Sequence, residues 1–131
     1  MNGATGFLLV FVGGGLGSMG RHGINLLAYR IAGGAYPYGT LCVNIVGALL
    51  MGVVVEVFAL RLHLSQPLRL LLTTGILGGF TTFSSFALDA VALRERGEGL
   101  AAGLYVAASV GLGIGALYVG MALVRGLLKA A

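Results

Sequence analysis

The sequence predicts an all-α integral membrane protein of four transmembrane helices, and three observations carry that prediction. Only 9% of the 131 residues are charged, against about 25% in an average soluble domain. Eight basic and four acidic side chains cannot give a soluble fold of this size its polar surface. Those few charges leave residues 1–20, 31–55, 70–88 and 99–124 free of Lys, Arg, Asp and Glu, and each run is about the 20 residues a helix needs to cross the hydrocarbon. The runs are continuously apolar, without the alternation of a membrane barrel, and a helix satisfies its own backbone where there is no water. An ordinary soluble enzyme, a disordered tail, a collagen-like or coiled-coil chain and a nucleic-acid binder are excluded on the same grounds.

Helix 1 is expected over about residues 6–28. It lacks the basic start of a secretion signal, and its Gly-rich centre runs straight into Arg21, Asn25 and Arg30, so it reads as a retained span. Helix 2, about 40–60, follows turn residues that include Gly33, Gly34 and Pro37. A short polar loop with His63, Ser65, Gln66 and Pro67 leads to helix 3, about 68–93. Arg94, Glu95, Arg96, Gly97 and Glu98 link it to helix 4, about 100–124. Residues 1–131 thus read as one four-helix transmembrane domain, with no segment left for a soluble one. Cys42 stands alone, which excludes an internal disulfide, and at the start of an apolar helix it reads as a buried, inert thiol.

Four spans put both termini and the loop between helices 2 and 3 on one side. That side carries Arg61, Arg69, Arg125 and Lys129, and the other carries Arg30, Arg94 and Arg96. So near a balance fixes no orientation. A chain that inserts both ways can form an antiparallel, dual-topology homodimer, which works like an inverted repeat. Four short helices also bury little among themselves, and a pore needs walls on all sides. The pairs Gly13/Gly17, Gly75/Gly79 and Gly111/Gly115 suit close helix packing and together support an oligomer, although 24 glycines make any single pair unspecific.

Residues 15–20 fit the spacing of a dinucleotide fingerprint, yet no strand–turn–helix unit surrounds them and the next acid is Glu56. His22, His63 and Asp89 form no metal-spaced or triad-like set, so enzymatic chemistry has no support. Arg21 either snorkels to the headgroups or draws anions into an aqueous vestibule. Asn44 lies inside helix 2, where an interhelical hydrogen bond and a pore role stand level. Tyr105 and Ser109 share a face of helix 4. In helix 3, Gly78 and Gly79 precede Thr81, Thr82, Ser84 and Ser85, a poor recipe for an uninterrupted helix. A break at membrane depth survives only where the backbone is buried or lines a cavity, and there it exposes carbonyls beside hydroxyl and amide donors. On periodicity alone, Phe83 and Phe86 are ordinary apolar packing.

The run of residues 78–86, GGFTTFSSF, resembles the GGxTTFSTF signature of the Fluc/CrcB fluoride channel family. Residues 14–21, GGLGSMGR, resemble its GGxxGxxR in helix 1, and residues 39–47, GTLCVNIVG, its GTLxxNxxG in helix 2. The resemblance covers essentially the whole chain. It implies a fluoride-selective channel in a prokaryotic plasma membrane that exports fluoride passively and so lowers its toxicity. It also implies an antiparallel homodimer in membrane lipid, with two pores along the interface. Asn44, Phe83 and Phe86, with Ser84, Ser85, Tyr105 and Ser109 as a polar track, would then form the pore. Arg21 would stand near a vestibule, and the carbonyls of Gly78 and Thr81 from both subunits would hold a central structural sodium ion. Ser85 stands where the family usually has Thr, Asp89 where Glu is common, and His22 where Tyr is frequent. The alternatives are a small proton-coupled multidrug exporter, which needs a membrane carboxylate that helix 1 lacks, and a non-transporting membrane subunit.

Overall fold

The computed structural model describes residues 3–60 and 64–129. They form α1 (Gly3–Ala32), α2 (Tyr38–Leu60), α3 (residues 66–80), α4 (Phe83–Glu95) and α5 (Gly99–Lys129). With α3 and α4 together as the stretch Gln66–Glu95, the chain has four helical segments long and apolar enough to cross a membrane. It is a multi-pass membrane protein.

Each expected span is present, and the helices run past the ends that charge suggested. α1 continues through Arg30, and α5 continues beyond Arg125. The charges mark where side chains must reach water, not where the backbone stops coiling, because long basic side chains snorkel. Helix ends are set by turn geometry instead. Gly33, at φ +74°, closes α1 with its N–H on the Tyr29 carbonyl at 2.9 Å. Gly97, at φ +81°, ends α4, and the Glu98 and Gly97 N–H groups bond back to Leu93 and Arg94. This is a Schellman closure, which needs a left-handed residue and therefore favours glycine.

Glycine also fixes the two main helix pairings. Gly13 and Gly17 of α1 lie against the backbone of Gly75, Ile76 and Phe80, and Gly79 lies against Gly14. Gly52 of α2 lies on the Leu117 carbonyl of α5, and Gly120 on the Leu49 carbonyl. A side chain at these positions would meet backbone, which has little room to yield. At the far end of α2, the buried Glu56 carboxylate accepts two N–H bonds from Arg125, at 2.8 and 3.0 Å. The third span is irregular as expected, and more so. Residues 71–77 wind as a π-helix before the short turn Gly78–Phe80, and Thr81 and Thr82 are extended.

One expectation fails. Cys42 is exposed on the chain's outer surface rather than buried, because the buried face of α2 is Thr40, Val43 and Gly47. Arg61 and His63, and the Lys129 side chain, lie outside the described residues.

Candidate functional site

The chemistry of the molecule collects at the break between α3 and α4. Its cause is local. The Asn44 side chain on α2 pairs with the backbone of Thr82 as a peptide would: Oδ1 accepts the Thr82 N–H at 2.8 Å and Nδ2 donates to the Thr82 carbonyl at 3.0 Å. The Thr82 N–H is thereby turned away from the Gly78 carbonyl, its partner in a continuing helix. Thr82 also caps α4, its hydroxyl accepting the Ser85 N–H at 3.2 Å. That bond in turn takes the helical donor from the Thr81 carbonyl, which receives Arg21 Nη1 at 3.3 Å. Ser18 donates to the Gly79 carbonyl, two residues upstream of Thr81, at 3.3 Å. On the other face Gly47 admits the Thr81 methyl and the Phe80 ring.

Beside the break opens a cavity of about 260 Å³ lined by Asn44, Thr81, Thr82, Phe83, Phe86 and Ser109, with Val110. Here the structure brings together five residues singled out from sequence: Asn44, Thr81, Phe83, Phe86 and Ser109. The two rings sit 5.5 Å apart between centroids and are tilted by 48°. Phe83 is 80% exposed on the single chain, so one side of the cavity is open to whatever lies against this face. The Ser109 hydroxyl is shielded from solvent and has no hydrogen-bond partner among the described residues. Asn44 holds one Nδ2 hydrogen beyond the bond to Thr82. Two donors with a proton to spare, beside two aromatic rings, suit a small anion that must exchange water for donors of similar strength.

The other sequence candidates flank this cavity. Ser84 and Ser85 stand at the start of α4 around the Thr82 hydroxyl. Tyr105 is fully buried, with its ring 5.4 Å from Phe86 and its hydroxyl on Asp89 Oδ2 at 3.2 Å. Its phenol therefore serves a carboxylate, and its ring backs the Phe pair. Tyr36 packs edge-on to Tyr105 at 5.7 Å and lines a second cavity, of about 190 Å³, with Tyr29, Tyr38, Asp89 and Arg96. Partial burial, and then Tyr38 beside it, hold the Tyr36 phenol above its ordinary pKa. Arg96 closes the rim by donating to the Ala35 carbonyl at 2.6 Å. His22 is exposed, and residues 15–20 lie within unbroken α1, which removes the turn a dinucleotide site requires.

The residue that sequence reading missed is Thr82, whose N–H, carbonyl and hydroxyl are all engaged. Its signal was present, since a hydroxyl residue three positions before Ser85 fits an N-cap inside an apolar span. The carbonyls of Gly78 and Thr81 are neutral oxygens of the kind a hard monovalent cation takes, their helical donors drawn off to Asn44 and Thr82, and the Thr81 oxygen also accepts Arg21 Nη1.

The family model described as CrcB-like protein, Camphor Resistance (CrcB), matches residues 8–121. Among curated proteins the chain is similar to "Fluoride-specific ion channel FluC" of Rhizobium etli (strain CFN 42), 52% identical over 92% of this chain and 96% of that protein. The protein of the same name from Rhodopseudomonas palustris (strain BisB5) is 53% identical over 91% of this chain and 96% of its own length. "Fluoride-specific ion channel FluC 2" of Nitrobacter hamburgensis is 50% identical over 91% and 96%.

Proposed function

This chain belongs to the CrcB family, and from that premise we propose that it is a fluoride-selective ion channel, not an enzyme. It exports fluoride passively from the cytoplasm across a bacterial inner membrane. The observation that carries the reading is that Ser109, whose shielded hydroxyl has no partner among the described residues, lines one cavity with Asn44, Phe83 and Phe86. A buried hydroxyl without a partner is costly unless something arrives to use it. A fluoride ion leaving its hydration shell would take the Asn44 N–H and the Ser109 O–H as donors and slide along the positive edges of the two rings.

The working unit is an antiparallel dual-topology homodimer with two pores at its interface. Two features support this: the near balance of loop charges and the open side of the cavity at Phe83. Ser84 and Ser85 continue the polar track, Tyr105 backs it with its ring on Phe86 and its hydroxyl on Asp89, and Arg21 stands at the vestibule. The Gly78 and Thr81 carbonyls of both subunits would hold a structural sodium ion, which when bound supplies a fixed positive charge at the centre. Arg21, Asn44 and Thr82 shape those carbonyls from within each protomer. The exporter reading needs a carboxylate free to take protons, whereas Glu56 is held by Arg125.

The test is fluoride efflux from liposomes containing the purified protein, followed with a fluoride electrode against a chloride control. Fast efflux of fluoride alone, lost in Phe83→Ile and in Asn44→Ala, is the expected result. A demonstrably dimeric wild-type protein that traps both ions overturns the reading.

A further inference from the structure

The hydroxyls at the start of α4 have a fixed direction of donation, and Thr82 sets it. Its Oγ1 accepts the Ser85 N–H at 3.2 Å and donates its single proton to Ser85 Oγ at 3.0 Å. Ser84 Oγ is also within reach, at 3.4 Å. A hydroxyl has one proton and two lone pairs, so with the Thr82 proton on Ser85 this second contact requires Ser84 to be the donor. The Ser84 proton is then spent on Thr82. Ser85, having received a proton, keeps its own, and no described residue takes it. The surroundings lock this arrangement, because the Thr82 backbone is held on both sides by Asn44 and the residue is buried. Thr82 itself lines the cavity of Asn44, Phe83, Phe86 and Ser109.

We infer that Thr82 is the positioning residue that makes Ser85, rather than Ser84, the hydroxyl that donates to the permeating anion. The inference rests on the channel reading above. Chained hydroxyls polarise one another, so the Ser85 proton is a stronger donor for having Thr82 behind it. Direction matters for selectivity as well. A row of hydroxyls free to rotate can offer lone pairs to a cation or protons to an anion, whereas a directed row offers protons at its end.

Thr82→Val keeps the shape and removes the hydroxyl, and Thr82→Ser restores the hydroxyl without the methyl. Fluoride efflux from liposomes is measured for both, for Ser84→Ala and Ser85→Ala, and for the double variant Thr82→Val/Ser85→Ala. Loss of a donor to an ion predicts that Thr82→Val and Ser85→Ala each slow fluoride efflux by about tenfold or more. Thr82→Ser recovers most of the rate, Ser84→Ala costs clearly less than Ser85→Ala, and the double variant is little slower than either single one. Multiplying losses in the double variant, or equal losses at Ser84 and Ser85, overturn the assignment. If Thr82→Val does not assemble, the Ser84 and Ser85 pair with Thr82→Ser still decides it. Silent wild-type protein would instead sink the channel reading itself.

Discussion

Glycines of the same spacing do opposite things in two parts of this molecule. On α1 and α3, Gly13, Gly17, Gly75 and Gly79 bring two backbones into direct contact. On α5, Gly103, Gly111 and Gly115 also recur at multiples of four, yet a Cβ at any of them would meet open space within the chain. A small-residue stripe shows where a helix can be approached, and only the partner surface shows whether it is. The first pair surrounds the helix break and fixes where Asn44 meets Thr82. The second leaves a bare face, flanked by exposed Leu104, Leu112 and Ile114.

The strongest way to break the contrast is to fill the close contact. Gly17→Val drives a side chain into the Ile76 carbonyl and the Phe80 backbone, neither of which can rotate away. Overpacking of this kind costs about 3 kcal/mol or more where the backbone cannot yield. The expected outcome is loss of the monodisperse assembly on size exclusion. An unchanged elution and melting curve would show that α1 and α3 are less tightly joined than their glycines imply.

Next in size is a change that leaves the helices paired and alters the break. Asn44→Asp keeps an acceptor for the Thr82 N–H and removes the donor to its carbonyl. It also places a negative charge beside the cavity, where it repels an anion. Fluoride efflux is expected to fall by about a hundredfold with assembly retained, an unfavourable charge in low dielectric being worth several kcal/mol. Efflux near the wild-type rate would mean that the cavity at Asn44 is not on the anion's route.

These contrasts also explain what was legible in the sequence. Spans follow from charge-free runs because the bilayer excludes charge over a fixed thickness, and that constraint is local. The break was legible because Gly78 and Gly79 ahead of four hydroxyl residues weaken a helix wherever it sits. The π-wound stretch 71–77, the exposure of Cys42 and the pairing of Glu56 with Arg125 were not. Each depends on which face meets which neighbour, and charges 69 residues apart in sequence carry no mark of their pairing. Asn44 shows the boundary well. Its depth in an apolar helix announced a need for a partner, and only the fold revealed that the partner was a backbone.

A smaller effect is expected at the Glu56–Arg125 pair, at the far end of α2 from the site. Glu56→Gln keeps a hydrogen bond to Arg125 and removes the charge. Passive fluoride efflux should stay within about threefold of wild type, since an ion pair remote from the cavity acts on the anion only through screened distance. It should also be indifferent to an imposed pH gradient. Efflux that follows the gradient in wild type and vanishes in Glu56→Gln would favour a proton-coupled carrier.

The smallest effect is expected on the bare face of α5. Gly111→Ala adds a methyl where the chain has nothing within 4 Å, and in a helix interior alanine is favoured over glycine by about 1 kcal/mol. The protomer should therefore melt at the same temperature or slightly higher, with efflux essentially unchanged. The contrary outcome is informative in its own right. Dissociation of the dimer with the helices intact would show that a second copy already occupies this face, so that the α5 glycines do between chains what Gly13 and Gly17 do within one. Since α1 and α3 tolerate no such methyl, the same substitution read at Gly17 and at Gly111 separates contacts that build the protomer from contacts that join two of them.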